Sequence, residues 1–91
     1  MNAKKAERIS KALGDPYRLK ILEAVKSQSG WLQCGAVLDM IDLAQSTISH
    51  HIKQLTDAEL LIVEKDGRNV RYQLNQEVFA DYISYLTLFV G

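Results

Sequence analysis

Ninety-one residues, 47% of them hydrophobic and 24% charged, describe one small globular domain over residues 1–91 and exclude a disordered chain. A formal net charge of zero argues against a uniformly basic surface, and a single cysteine, Cys34, excludes an intrachain disulfide framework and fits a reducing, intracellular setting. The amino-terminal stretch is basic with no apolar core behind it, so it is not a signal peptide, and no apolar run is long enough to cross a bilayer. The charge is unevenly spread. Residues 1–26 hold seven Lys/Arg against three Asp/Glu, whereas residues 31–62 hold Lys53 against Asp39, Asp42, Asp57 and Glu59. A local field acts on a ligand more directly than the sum does.

In chain order, Ala6, Ile9 and Leu13 recur at helical spacing and predict a first helix over 3–13, ended by Gly14. Asp15-Pro16 then reads as an N-cap followed by proline at the first helical position. Leu19, Leu22 and Val25 form the expected buried stripe of this second helix, with Ile21 beside them. Ser27 to Gly30 is a loop, and Trp31 to Ile41 is expected to be a short third helix. A fourth helix is expected over about 45–58. At 100° per residue its Ile48, Ile52 and Leu55 share one arc, and Ser46, His50, Lys53 and Asp57 lie opposite. Ser49 and Gln54 flank that polar side, and His51 sits on the rim of the apolar stripe.

The period then changes. LLIVEK and NVRYQL are strand-like runs, and Asp66-Gly67 between them signals a hairpin. Asn75 starts a last helix carrying Val78, Phe79, Tyr82, Ile83, Leu86 and Phe89. So apolar and aromatic a stripe needs more cover than a small domain supplies, and is read as a dimer surface, with packing onto the protomer's own core as the alternative. The expected architecture is mainly α with a small β-hairpin, in the order α-α-α-α-β-β-α: a winged helix-turn-helix.

The fourth helix suits a major groove. Gln45 matches the edge of adenine, and Ser46, Thr47 and Ser49 match bases or phosphates. His50 and Lys53 are placed to grip the backbone, and the helix N-terminus favours phosphate. The hairpin sets Lys65, Arg68, Asn69 and Arg71 at or near its tip, for flanking phosphate or a narrow minor groove. A solvated helix face on a protein-binding module is the alternative. An enzyme is not supported: Ser49 and His50 are adjacent on a helix, and no glycine-rich phosphate loop or metal triad is present.

The stretches KALGDPYRLKILEAV, LAQSTISHHIKQL and EKDGRNVRYQL together resemble the ArsR/SmtB family of winged-helix transcriptional repressors, in its second-helix entry, recognition helix and wing. The resemblance covers nearly the whole chain. It implies a homodimer joined by the first and last helices, which brings Ile9 to the interface residues above, seated on a near-palindromic double-stranded DNA operator. It also implies a signal that releases the DNA. One metal site of the family uses a Cys-x-Cys pair, which falls on Gln33 and Gly35, with Cys34 between them. Another uses histidines on the last helix, where this chain has Glu77 and Asp81 but no histidine. His50 and His51 point about 100° apart and do not chelate one ion. No metal site and no cofactor are therefore expected. Cys34 is a possible redox residue, alone or linking two chains, or else a half-buried packing residue. The chain departs from the family at Ala44, often Ser, and at Glu59, often Gly.

Overall fold

Three side chains start helices in the computed structural model, which describes residues 1–91. Asn2 accepts from the Lys5 N–H at 2.8 Å and opens α1, Ala3–Leu13. Asp15 accepts from the Tyr17 and Arg18 N–H groups at 2.8 and 3.2 Å and opens α2, Pro16–Lys26. Asn75 accepts from the Val78 N–H at 3.3 Å and opens α5, Gln76–Leu86. Partial desolvation pushes the Asp15 carboxyl up, but the two N–H donors and the charges of His51 and Arg18 outweigh it and hold it below its usual range. Between α2 and α5 come β1 (Leu32–Gln33), α3 (Cys34–Met40), α4 (Gln45–Asp57), β2 (Leu61–Asp66) and β3 (Asn69–Leu74). A 3-10 turn, Thr87–Phe89, follows α5.

The third helix is shorter than expected. Leu32 and Gln33 are not helical but form β1, which pairs antiparallel with β3 through Leu32↔Tyr72 and Gln33↔Arg71. The hairpin is thus part of a three-stranded sheet, β1-β3-β2, with β3 in the middle. Asp66 pairs with Asn69, so the connecting residues are Gly67-Arg68, one place later than the Asp66-Gly67 signal. Gly67 takes φ +61°, the sign a tight two-residue hairpin needs at its first position.

One cluster of 16 buried apolar residues holds these elements together, with Ile9, Ile21, Val25, Ile48, Leu55 and Leu60 at its centre. The fully buried set includes no charged side chain, and Tyr72 is its one hydroxyl. Burial pushes the Tyr72 phenol well above its usual range, helped by the adjacent Cys34 thiol. On α2 the buried arc is Ile21, Leu22 and Val25, while Leu19 lies beyond its edge and is 43% exposed. Ile9 is 0% exposed and Val78 7%, so both pack inside the protomer and leave little or no area for a partner.

Helix α4 ends in a Schellman arrangement. The Leu60 N–H donates to Leu55 O and the Glu59 N–H to Thr56 O, each at 3.0 Å. That geometry puts Glu59 at φ +63°, the one non-glycine residue with positive φ. Its carboxylate meets Lys5 Nζ at 3.1 Å, but both side chains are largely exposed. Relief of about 1 kcal/mol of left-handed strain exceeds what such a surface pair contributes. Glu59→Gly is therefore expected to raise stability by about 0.5 kcal/mol, read as a higher urea midpoint at unchanged slope.

Candidate nucleic-acid interface

Helix α3, a bend through Ile41–Ala44 and helix α4 form the helix-turn-helix. Ile48, Ile52 and Leu55 pin α4 to the core, which turns its opposite side to solvent. Gln45, Ser46, Thr47, Ser49, His50 and Lys53 are all exposed. Ala44 stands at the N-cap with extended ψ of 144° and supplies no side-chain cap; its carbonyl accepts from the Thr47 and Ile48 N–H groups, which leaves those of Gln45 and Ser46 for an external acceptor.

The exposed residues of α4 divide into two rows. Gln45, Ser49, Lys53 and Thr56 line an open groove of about 460 Å³ whose other wall is Val63, Lys65, Val70 and Tyr72 of the sheet. Ser46 and His50 lie outside that groove. Lys53 Nζ rests 3.0 Å from Asp57 Oδ2, an exposed i,i+4 pair that contributes little and yields readily to a phosphate. His51 is half-buried and stacks on Tyr17, with ring centroids 6.1 Å apart and planes at 25°. It is a packing residue of the rim.

The wing residues also divide. Lys65, Arg68 and Asn69 are exposed at the outer end of the hairpin. Arg71 is not at the tip. It is half-buried at the wing root, its guanidinium carbon 4.5 Å from the centre of the Trp31 ring and its Nε 2.9 Å from Glu64 Oε1. This Trp31–Arg71–Glu64 stack escaped the sequence reading. Hairpin register carries a signal for part of it, since counting outward from Gly67-Arg68 places Glu64 opposite Arg71.

Cys34 is the first residue of α3 and is half-buried beside the groove floor. Gln33 and Gly35 flank it, and no group of three or more His, Cys, Asp or Glu is placed to hold a metal ion. On α5, Phe79 and Tyr82 pack partly against the core, and Tyr82 Oη lies 2.7 Å from Ser10 Oγ of α1. Ile83, Leu86 and Phe89 face outward, 61%, 43% and 75% exposed.

Comparison with known proteins agrees with this geometry. A family described as helix-turn-helix domain matches residues 13–64. The arsenical resistance operon repressor of Staphylococcus xylosus is 42% identical over 84 residues, 92% of this chain and 78% of that protein. The transcriptional repressor SdpR of Bacillus subtilis is 32% identical, covering 91% of this chain and 90% of its own. Among solved structures, HlyU from Vibrio cholerae is 29% identical with a TM-score of 0.73, over 98% of this chain and 95% of that one. A crystal structure of an ArsR family transcriptional regulator shares the fold with a TM-score of 0.84 at 23% identity, over 96% and 88% of the two chains. The chain belongs to the ArsR family of winged helix-turn-helix transcriptional regulators, and it is a DNA-binding repressor of that class.

Proposed function

We propose that residues 1–91 act as one half of a homodimer that closes on a near-palindromic DNA operator in the cytoplasm. Each protomer lays α4 in a major groove, with Gln45, Ser46, Thr47, Ser49 and His50 toward base edges and the nearest phosphates. Lys53, Lys65, Arg68 and Asn69 hold the flanking backbone. The observation that carries this is the exposed polar face of α4, whose Gln45, Ser49 and Lys53 line one open groove opposite Lys65 of the wing. The groove is open to solvent, and the short side chains of α4 allow close approach of its backbone to a duplex. The releasing signal is not a metal at either family site. A lone Cys34 does not supply the three or four matched ligands that zinc or arsenite takes, and Glu77 and Asp81 alone make a weak transition-metal site. The role is regulatory rather than enzymatic.

The test is a gel shift on the DNA upstream of the protein's own gene, repeated across salt. Lys53, Lys65 and Arg68 from two subunits neutralise about six phosphates, which predicts a fall of roughly 10³-fold in affinity between 50 and 200 mM salt. Affinity that ignores salt would overturn DNA binding by this face and favour a protein-binding module.

A further inference from the structure

We infer that Arg71 positions the wing rather than touching DNA, as the middle of a brace made with Trp31 and Glu64. This rests on the DNA-binding reading above and assigns one of its basic residues a different task. Three observations carry it.

The first is place. Arg71 lies three rungs in from the Gly67-Arg68 loop, after Asp66↔Asn69 and Lys65↔Val70, which is about 10 Å along the strand. The second is side. Strand residues alternate faces, and those turned toward the α4 groove are Val63, Lys65, Val70 and Tyr72. Arg71 and its cross-strand partner Glu64 therefore point to the other face of the sheet, away from the recognition helix. The third is engagement. Both Nε and Nη2 of Arg71 donate to the same Glu64 carboxylate oxygen, and its guanidinium carbon lies over the Trp31 ring, 4.5 Å from the centroid. Its charge is paired with Glu64 and its side chain is 38% exposed, whereas Lys65 and Arg68 stand exposed.

The brace links two parts of the DNA-binding surface. Trp31 immediately precedes β1, and β1 runs directly into α3, the first helix of the helix-turn-helix. Only two residue pairs join β1 to β3, so the ladder alone gives the wing a short anchorage. Trp31 extends it by one residue at the end of β1 remote from α3, and Glu64 ties it to β2. Arginine suits this position because its planar fork serves a carboxylate and an aromatic face together, which a lysine ammonium does not.

The experiment compares Arg71→Gln, Arg71→Lys and Trp31→Leu with the wild type. Each is bound to an operator duplex selected from random-sequence DNA, across a salt series, at a temperature where all are fully folded. A brace predicts that all three lose affinity by a similar factor, about tenfold, at an unchanged salt slope, and that Trp31→Leu/Arg71→Gln loses little more than either single change. Amide hydrogen exchange of the DNA-free proteins should quicken across residues 62–71 while α4 keeps its protection. A phosphate contact predicts the reverse. Trp31→Leu would be neutral, Arg71→Lys would rescue, and Arg71→Gln would flatten the salt slope by about 0.9 per lost contact; that result overturns the brace. Unchanged exchange in the wing of Arg71→Gln and Trp31→Leu overturns it independently of any DNA. Failure of the wild type itself to bind DNA overturns the DNA-binding reading, and the exchange data then decide the brace alone.

Discussion

Ile83→Lys is expected to convert the protein to monomers in sedimentation and to weaken operator binding by roughly 10²–10⁴-fold. Ile83 is 61% exposed on α5, and it neighbours Leu86 at 43%, Leu88 and Phe89 at 75% and Val90 at 80%. Tyr85 and Phe89 meet edge-on at 5.8 Å, so the segment already holds an ordered aromatic surface. Burying one such side chain in a partner contributes about 1.5–3 kcal/mol, and two-fold symmetry counts it twice. A lysine there forfeits that gain and adds two ammonium groups to be desolvated. Two heads joined in one dimer engage the second half-site at an effective concentration near the millimolar range, and separated heads lose that advantage.

Exposure separates this experiment from simple unfolding. Ile83→Lys places its charge in solvent when the protomer stands alone, so far-UV circular dichroism should change little and the thermal midpoint should fall only by the lost dimer linkage, becoming independent of protein concentration. Ile9 behaves differently. It is 0% exposed and belongs to the core, so Ile9→Ala should cost about 2–5 kcal/mol of stability through the cavity it leaves. Dimers that persist in Ile83→Lys and in Phe89→Lys would move the interface off this helix.

The contrast between Ile9 and Ile83 shows what the sequence holds. Both stand on apolar stripes, and a stripe reveals that a face is buried without revealing against what. Ile9 sits between Ala6 and Ala12, whose small size draws α1 down onto its own core, whereas Ile83 is 61% exposed on α5. Elements fixed by local chemistry were legible. Asn75 and Asp15 cap the helices they precede, and the three-and-four spacing of Ile48, Ile52 and Leu55 set the outward face of α4 before any coordinates. Elements fixed by distant pairing were not. Leu32 and Gln33 carry no period of their own, and they are a strand only because Tyr72 and Arg71 lie beside them. The partners of Arg71 were illegible for the same reason, since they come from β2 and from the residue before β1. Glu59 was legible as a departure from glycine, and its positive φ shows that the backbone kept the turn and accepted the strain.

The polar face of α4 gives the second large effect. In the proposed dimeric complex, Ser46→Ala and His50→Ala would each remove a base-edge or backbone contact made once per subunit. A good contact is worth about 1–3 kcal/mol, and symmetry doubles it, so each substitution should weaken binding to the operator by roughly 30-fold or more. Neither side chain packs in the core, so fold and dimer should be untouched. Lys65→Ala and Arg68→Ala should act differently. Loss of a phosphate contact weakens binding to operator and to unrelated DNA alike, and lowers the salt slope by about 0.9 per contact. A base contact, by contrast, narrows the gap between operator and unrelated DNA at a nearly constant slope. Competition binding on both duplexes, at two salt concentrations, therefore sorts the residues into readers and holders. The open groove makes Gln45 and Ser49 the alternative readers, because they face the wing where Ser46 and His50 do not. Wild-type affinity and discrimination in Ser46→Ala and His50→Ala, with loss in Gln45→Ala, would mean that α4 enters the groove rotated toward the wing, reading with its inner row.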